Sequence, residues 1–95
     1  MSEIKIFFIH ASNCQSCKKV LATIEKAIAN SKVKCEIEKF ESTTQAAIGI
    51  AVTHNIDDLP GFLISPTMKV FKGKNHSEEE IVKELKKAAR IEKKY

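Results

Sequence analysis

The run Ile4-Lys5-Ile6-Phe7-Phe8-Ile9 constrains the fold more than any other stretch of the chain. After Lys5 it shows no polar alternation, so a strand built from it needs cover on both faces. A central strand of a layered α/β sheet meets that demand, whereas a one-sided sheet does not. The run is far too short to cross a bilayer. Glu3 and Lys5 break up the N-terminal segment, which does not read as a signal peptide; the cytoplasm is the expected location, with no membrane partner.

A polar break, Ala11-Ser12-Asn13, separates this strand from a helical pattern beginning at Cys14. Cys17, Val20, Leu21, Ile24, Ala27 and Ile28 recur at the spacing of one helix face, and Asn30-Ser31 closes the pattern. Val33, Cys35 and Ile37 alternate with Lys34, Glu36 and Glu38, which predicts a half-buried second strand there. Ser42 with Gln45 fits a capping box for a second helix, running through Ala46, Ala47, Ile50 and Ala51 and ending near His54-Asn55. Phe62-Leu63-Ile64 reads as a third strand. A turn at Ser65-Pro66-Thr67 leads into a fourth, Met68 to Phe71. Ser77 and Glu80 form another capping box, opening a last helix with Ile81, Val82, Leu85, Ala88 and Ala89 inward.

The resulting order is β-α-β-α-β-β-α in one α/β domain spanning 1–95. Its first β-α-β is parallel, its last two strands form an antiparallel hairpin, and helices cover both faces of a four-stranded mixed sheet. A chain of 95 residues supports a single core and leaves no room for a separate cofactor module.

Of the three cysteines, two stand three residues apart in Cys14-Gln15-Ser16-Cys17. An odd number with this spacing is not the framework of a disulfide-stapled secreted domain. It reads as a redox dithiol or as half of a metal site. At a helix N-terminus, unpaired backbone N–H groups favour a thiolate on Cys14, and Lys18 and Lys19 add positive charge. Cys17, on the apolar face, then serves as the resolving thiol. For a metal, His10, Cys14 and Cys17 offer three ligands, but no second CxxC completes a zinc ribbon; a bridged dimer holding a metal or cluster stays open as the rival. Cys35 fits a small buried apolar position. His54 at a helix end and His76 in a loop suggest no role.

The net charge of +4 and pI near 9.0 raise nucleic acid as a partner. Only one of the sixteen basic residues is arginine, Arg90, and the lysines interleave with glutamates along helix faces. Solvated faces explain that pattern better, so no nucleic-acid partner is expected.

A second signature lies far from the first. His54-Asn-Ile-Asp-Asp-Leu-Pro-Gly-Phe-Leu-Ile64 resembles the stretch of the thioredoxin-like superfamily in which a hydrophobic residue and a cis-proline open the third core strand. With Cys14-Gln15-Ser16-Cys17-Lys18 and the element order, the resemblance spans nearly the whole chain. It implies a small thioredoxin- or glutaredoxin-like enzyme with Cys14 and Cys17 catalytic, no bound cofactor or metal, and a monomeric state. It further implies that Pro60 is cis and close to the dithiol, and that the backbone of Leu59 pairs with an extended substrate segment bordered by Asn13, Gln15 and Ser16. The implied partners are disulfide-containing proteins and an upstream thiol reductase or small-thiol donor.

The departures are specific. Asn13 replaces the tryptophan that precedes the first cysteine in thioredoxins proper, and Gln15-Ser16 replaces their Gly-Pro. Phe8 stands where their buried acid would be. No glutathione loop of the glutaredoxin kind surrounds Gly73. Asp57 and Asp58 place acids near the docking groove, where they disfavour acidic partners. His10 shares a strand face with Phe8 and is a candidate proton relay for Cys17. A metallochaperone using the same cysteines, and a thioredoxin-fold interaction protein with an idle dithiol, are the alternative functions.

Overall fold

The apolar run becomes β1 (Lys5–His10), the strand around which the domain is arranged. The structure is a computed structural model that describes residues 4–12, 14–57, 59–65, 67–73 and 76–93, with side chains to residue 90. In chain order β1 is followed by α1 (Gln15–Ser31), β2 (Glu36–Glu41), α2 (Gln45–His54), β3 (Gly61–Ser65), β4 (Lys69–Lys72) and α3 (Glu78–Lys93). The sheet order is β2-β1-β3-β4. β1 runs parallel to β2 and antiparallel to β3, and β4 closes an antiparallel hairpin with β3.

Strand alternation divides the side chains of β1 between two layers. Ile6 and Phe8 join Phe62, Ile64 and Phe71 beneath α1 and α3, where Ile24, Ala27, Ile81, Leu85 and Ala88 are fully buried. Two of those residues are alanines, one on each helix, so the helix backbones approach closely. Ile9 and Leu63 face the other way, onto Ala47 of α2, with Phe7, Phe40, Ile50 and Ala51 around them. Each large side chain fully buried contributes about 1.5–3 kcal/mol relative to exposure. Phe62 stacks on Phe71 with ring centroids 4.7 Å apart and tilts against Phe8 at 6.4 Å.

The second strand lies later than the alternation of Val33, Cys35 and Ile37 indicates. After α1 ends on left-handed Lys32 (φ 56°), the chain climbs back along the sheet edge. Pairing starts only where β1 supplies partners, at Lys5↔Glu36, with the Glu36 N–H donating to the Ile4 carbonyl. Val33 and Cys35 still pack against the core, half-buried, as a lead-in to the strand. The cap of α2 is likewise Thr44, not Ser42. Thr44 Oγ1 accepts the Ala47 N–H at 3.2 Å, whereas the Ser42 N–H donates to the His10 carbonyl and continues the sheet edge. Ala46 is exposed and only Ala47 of α2 is buried. Met68 adopts a left-handed turn conformation (φ 61°) and β4 begins after it.

The Ser77–Glu80 box is present: the Glu80 N–H donates to Ser77 Oγ and the Ser77 N–H to Glu80 Oε1. His76 has a structural part that its loop position did not announce. Its ring stands edge-on to Phe71 at 5.0 Å, Nε2 lies 2.6 Å from the Lys72 carbonyl, and Nδ1 faces Glu80. The Ser77 N–H and the His76 ring hold the Glu80 carboxyl below its ordinary range.

Candidate active site: a dithiol at the start of the first helix

The chain leaves β1 at His10 and reaches Cys14, the N-cap residue of α1, in an extended conformation (φ −98°, ψ 105°). Cys14 Sγ accepts the Cys17 N–H at 3.1 Å, taking the place of a serine or aspartate oxygen at this helix end. The Cys14 carbonyl accepts the Lys18 N–H at 3.4 Å, so the helical ladder starts at the cysteine itself. Cys14 and Cys17 are joined as a disulfide with Cα atoms 5.2 Å apart. Their environments differ: Cys14 is half-buried, whereas Cys17 is 4% exposed and belongs to the core. The accessible sulfur is therefore the one suited to attack an outside disulfide, and the buried one to resolve the product. No acidic residue occupies the first turn of α1 to compete for its positive end.

Beside the dithiol opens a cavity of about 190 Å³. Phe8, Ala11 and Leu21 form its apolar walls, both cysteines and His10 border it, and Lys18 and Lys39 bring the charge. Phe8, 1% exposed, lines the cavity with both cysteines and brings no ionisable group to it. His10 stacks on Phe8 with centroids 6.0 Å apart, which sets the imidazole on this cavity. Lys39 comes from β2, where the parallel register sets it opposite Phe8. Sequence reasoning missed it, because the pairing of two separate strands has no local pattern.

Leu59 and Pro60 do not line this cavity. They precede β3, whose Gly61 pairs with Ile9, so they sit at the same end of the sheet as the dithiol. The Leu59–Pro60 bond is cis, Leu59 is 40% exposed and Pro60 is fully buried. The Pro60 carbonyl accepts the N–H of Gly73, whose φ of 77° suits a residue without a side chain. Gln15 is exposed and Ser16 half-buried. Asn13 and Asp58 lie outside the described residues, as do Pro66, Lys74 and Asn75. Asp57 is paired with Lys72 at 3.4 Å, which offsets its charge.

Cys35 belongs to neither cavity nor dithiol. Burial, reinforced by the negative charge of Glu36, pushes its thiol up to about 11. Among the described residues no three His, Cys, Asp or Glu side chains converge as metal ligands. A second hollow, of about 500 Å³, lies between Asn30 and the glutamates of α3 and holds neither cysteine nor histidine. Among the described residues no helix is long and apolar enough to cross a membrane.

Several solved structures share this fold. An uncharacterised thioredoxin-like protein from Clostridium perfringens superposes with a TM-score of 0.72 at 13% identity, over 90% of this chain and 70% of that one. Thioredoxin 1 from Thermosipho africanus gives 0.66 at 20% identity, over 94% and 98%. Oxidised thioredoxin from Plasmodium falciparum gives 0.61 at 18%, over 90% and 81%. At these identities the likeness establishes the fold. No curated protein sequence matches the chain. The family model for the thioredoxin domain, however, matches residues 2–86, and the chain belongs to that family.

Proposed function

We propose that the chain is a thiol–disulfide oxidoreductase acting on protein disulfides through Cys14 and Cys17. The observation that carries this reading is the place of the Cys14 sulfur. It caps α1, lies within bonding reach of Cys17, and borders an open cavity while its partner is buried.

In the reducing direction the Cys14 thiolate attacks one sulfur of the substrate disulfide. A Cys14–substrate mixed disulfide forms, and the other substrate sulfur leaves as a thiolate that takes up a proton. Cys17 gives up its proton and attacks Cys14, which forms the intramolecular disulfide and releases the second substrate thiol. Two electrons and two protons pass to the substrate, and a thiol donor restores the dithiol. Phe8 offers no proton acceptor for Cys17. His10, on the same strand face and cavity, is proposed to take that role. Leu59, exposed ahead of Pro60, is proposed to offer its backbone as the docking edge for an extended substrate segment, with Asn13, Gln15 and Ser16 proposed to border it. The proposed setting is a cytoplasmic monomer with an upstream thiol reductase or a small thiol as donor.

The test is insulin-disulfide reduction driven by dithiothreitol, and separately by glutathione with its reductase, alongside metal analysis of the purified protein. Wild type should reduce insulin and Cys14→Ser should not. Tightly held zinc or iron without reductase activity would replace this reading with a carrier function. His10→Ala should alter the pH–rate profile of disulfide reduction, and an unchanged profile would remove His10 from the mechanism.

A further inference from the structure

We propose that the cavity beside the dithiol selects substrates that carry a carboxylate next to the reacting disulfide, with Lys39 and Lys18 as the groups that read it. This deepens the oxidoreductase reading and rests on it. At about 190 Å³ the cavity is smaller than the roughly 300–1,000 Å³ of small-molecule sites, so it suits one substrate side chain rather than a whole cofactor. Among the described residues its charged lining is basic, with Lys18 and Lys39 and no Asp or Glu.

The two lysines are also available. Elsewhere in the sheet, lysines near acids are paired: Lys5 with Glu38 and Lys72 with Asp57. Among the described residues neither Lys18 nor Lys39 joins an ion pair. Glu41, two residues beyond Lys39 on the same strand face, is engaged by the Ser12 hydroxyl at 2.9 Å and does not line the cavity. Asp57, outside this lining, is balanced by Lys72. An acidic side chain of the substrate that enters the cavity thus meets two lysines that hold no ion-pair partner among the described residues, over the apolar walls of Phe8 and Leu21. A basic side chain meets two like charges.

Exposed pairs of this kind shift relative rates by about three- to tenfold in total at low salt, and screening removes the effect. The probes are three disulfide-linked peptide dimers, acetylated and amidated, identical except for Glu, Gln or Lys next to the cysteine. Single-turnover reduction by the pre-reduced protein should rank them Glu, then Gln, then Lys, with about three- to tenfold between the ends. The ranking should collapse in 0.5 M salt, a choice well beyond the roughly 0.1 M at which screening reaches about 10 Å. Lys39→Glu combined with Lys18→Glu should invert it, and Lys39→Arg should keep it. Equal rates for the three peptides with wild type would overturn the proposal and leave the oxidoreductase reading standing. So would a drop shared equally by all three in the charge-reversed variant, since that marks an effect on the thiolate and not on the substrate. If wild type reduces none of them, both readings fall.

Discussion

The sulfur of Cys14 acts as a helix cap, and that role can be weighed separately from its chemistry. The perturbation is Cys14→Ser against Cys14→Ala, with every sample melted in excess dithiothreitol. Serine keeps an acceptor for the Cys17 N–H that Cys14 Sγ now takes at 3.1 Å; alanine leaves that N–H, part-buried, without one. The loss of a capping side chain costs about 0.5–2 kcal/mol. Neither variant can close the Cys14–Cys17 disulfide, so the comparison isolates the cap, and dithiothreitol only keeps Cys17 and Cys35 as free thiols. For 95 residues the unfolding entropy near 60 °C is about 200 cal/mol/K, so 1 kcal/mol moves the midpoint by about 5 °C. The serine variant should therefore melt about 5 °C above the alanine variant, within a range of about 2–10 °C. Differential scanning calorimetry or far-UV circular dichroism reads this directly. Midpoints that agree within about 1 °C would refute the cap, and the Sγ contact would then be a by-product of the disulfide geometry.

Gly49 lies inside α2, and a Cβ there meets nothing within 4 Å, so Gly49→Ala should stabilise the fold by about 0.5–1 kcal/mol in a urea titration. A destabilised variant would show that this helix face is covered in solution. Cys35, raised to about 11 from an ordinary 9.0, should alkylate about a hundredfold more slowly at pH 8 than an unburied thiol, followed by mass spectrometry of the native protein. Because the folded value is raised, this group's contribution to stability is complete below pH 9.0 and is lost as pH rises towards 11. Glu80 behaves in the opposite sense. Its lowered folded value gives a contribution present above pH 4.5 and lost as pH falls through the folded value, so the gap in melting point between wild type and Glu80→Gln should close in acid.

Much of the fold was legible because β1, α1 and α3 each announce themselves by periodicity and by how much apolar surface they must bury. The dithiol was legible for the same reason: the pattern that predicts α1 begins at Cys14 and fixes which cysteine faces the core. What escaped was decided between elements. The start of β2 depends on where β1 supplies hydrogen-bond partners, which Val33 and Cys35 cannot signal. Thr44 prevails over Ser42 because Ser42 is drawn into the sheet by the His10 carbonyl. His76 acquires its place from Phe71, Lys72 and Glu80 together, on either side of a loop. Lys39 reaches the dithiol only through the parallel register with Phe8.

The sheet is covered unequally, and this sets the order in which the molecule opens. On one side α1 and α3 interlock through side chains without solvent contact. On the other, α2 is held by one buried alanine and a few partly buried neighbours, while Ile48 and Val52 stand 51% and 73% exposed. Amide protons of α2 should therefore exchange through a low-energy partial opening, and those of β1, α1 and β3 only when the whole chain unfolds. The two cysteines belong to the second unit. The redox centre thus survives the molecule's most frequent excursion from its native state, and its geometry is insulated from the breathing of the opposite face.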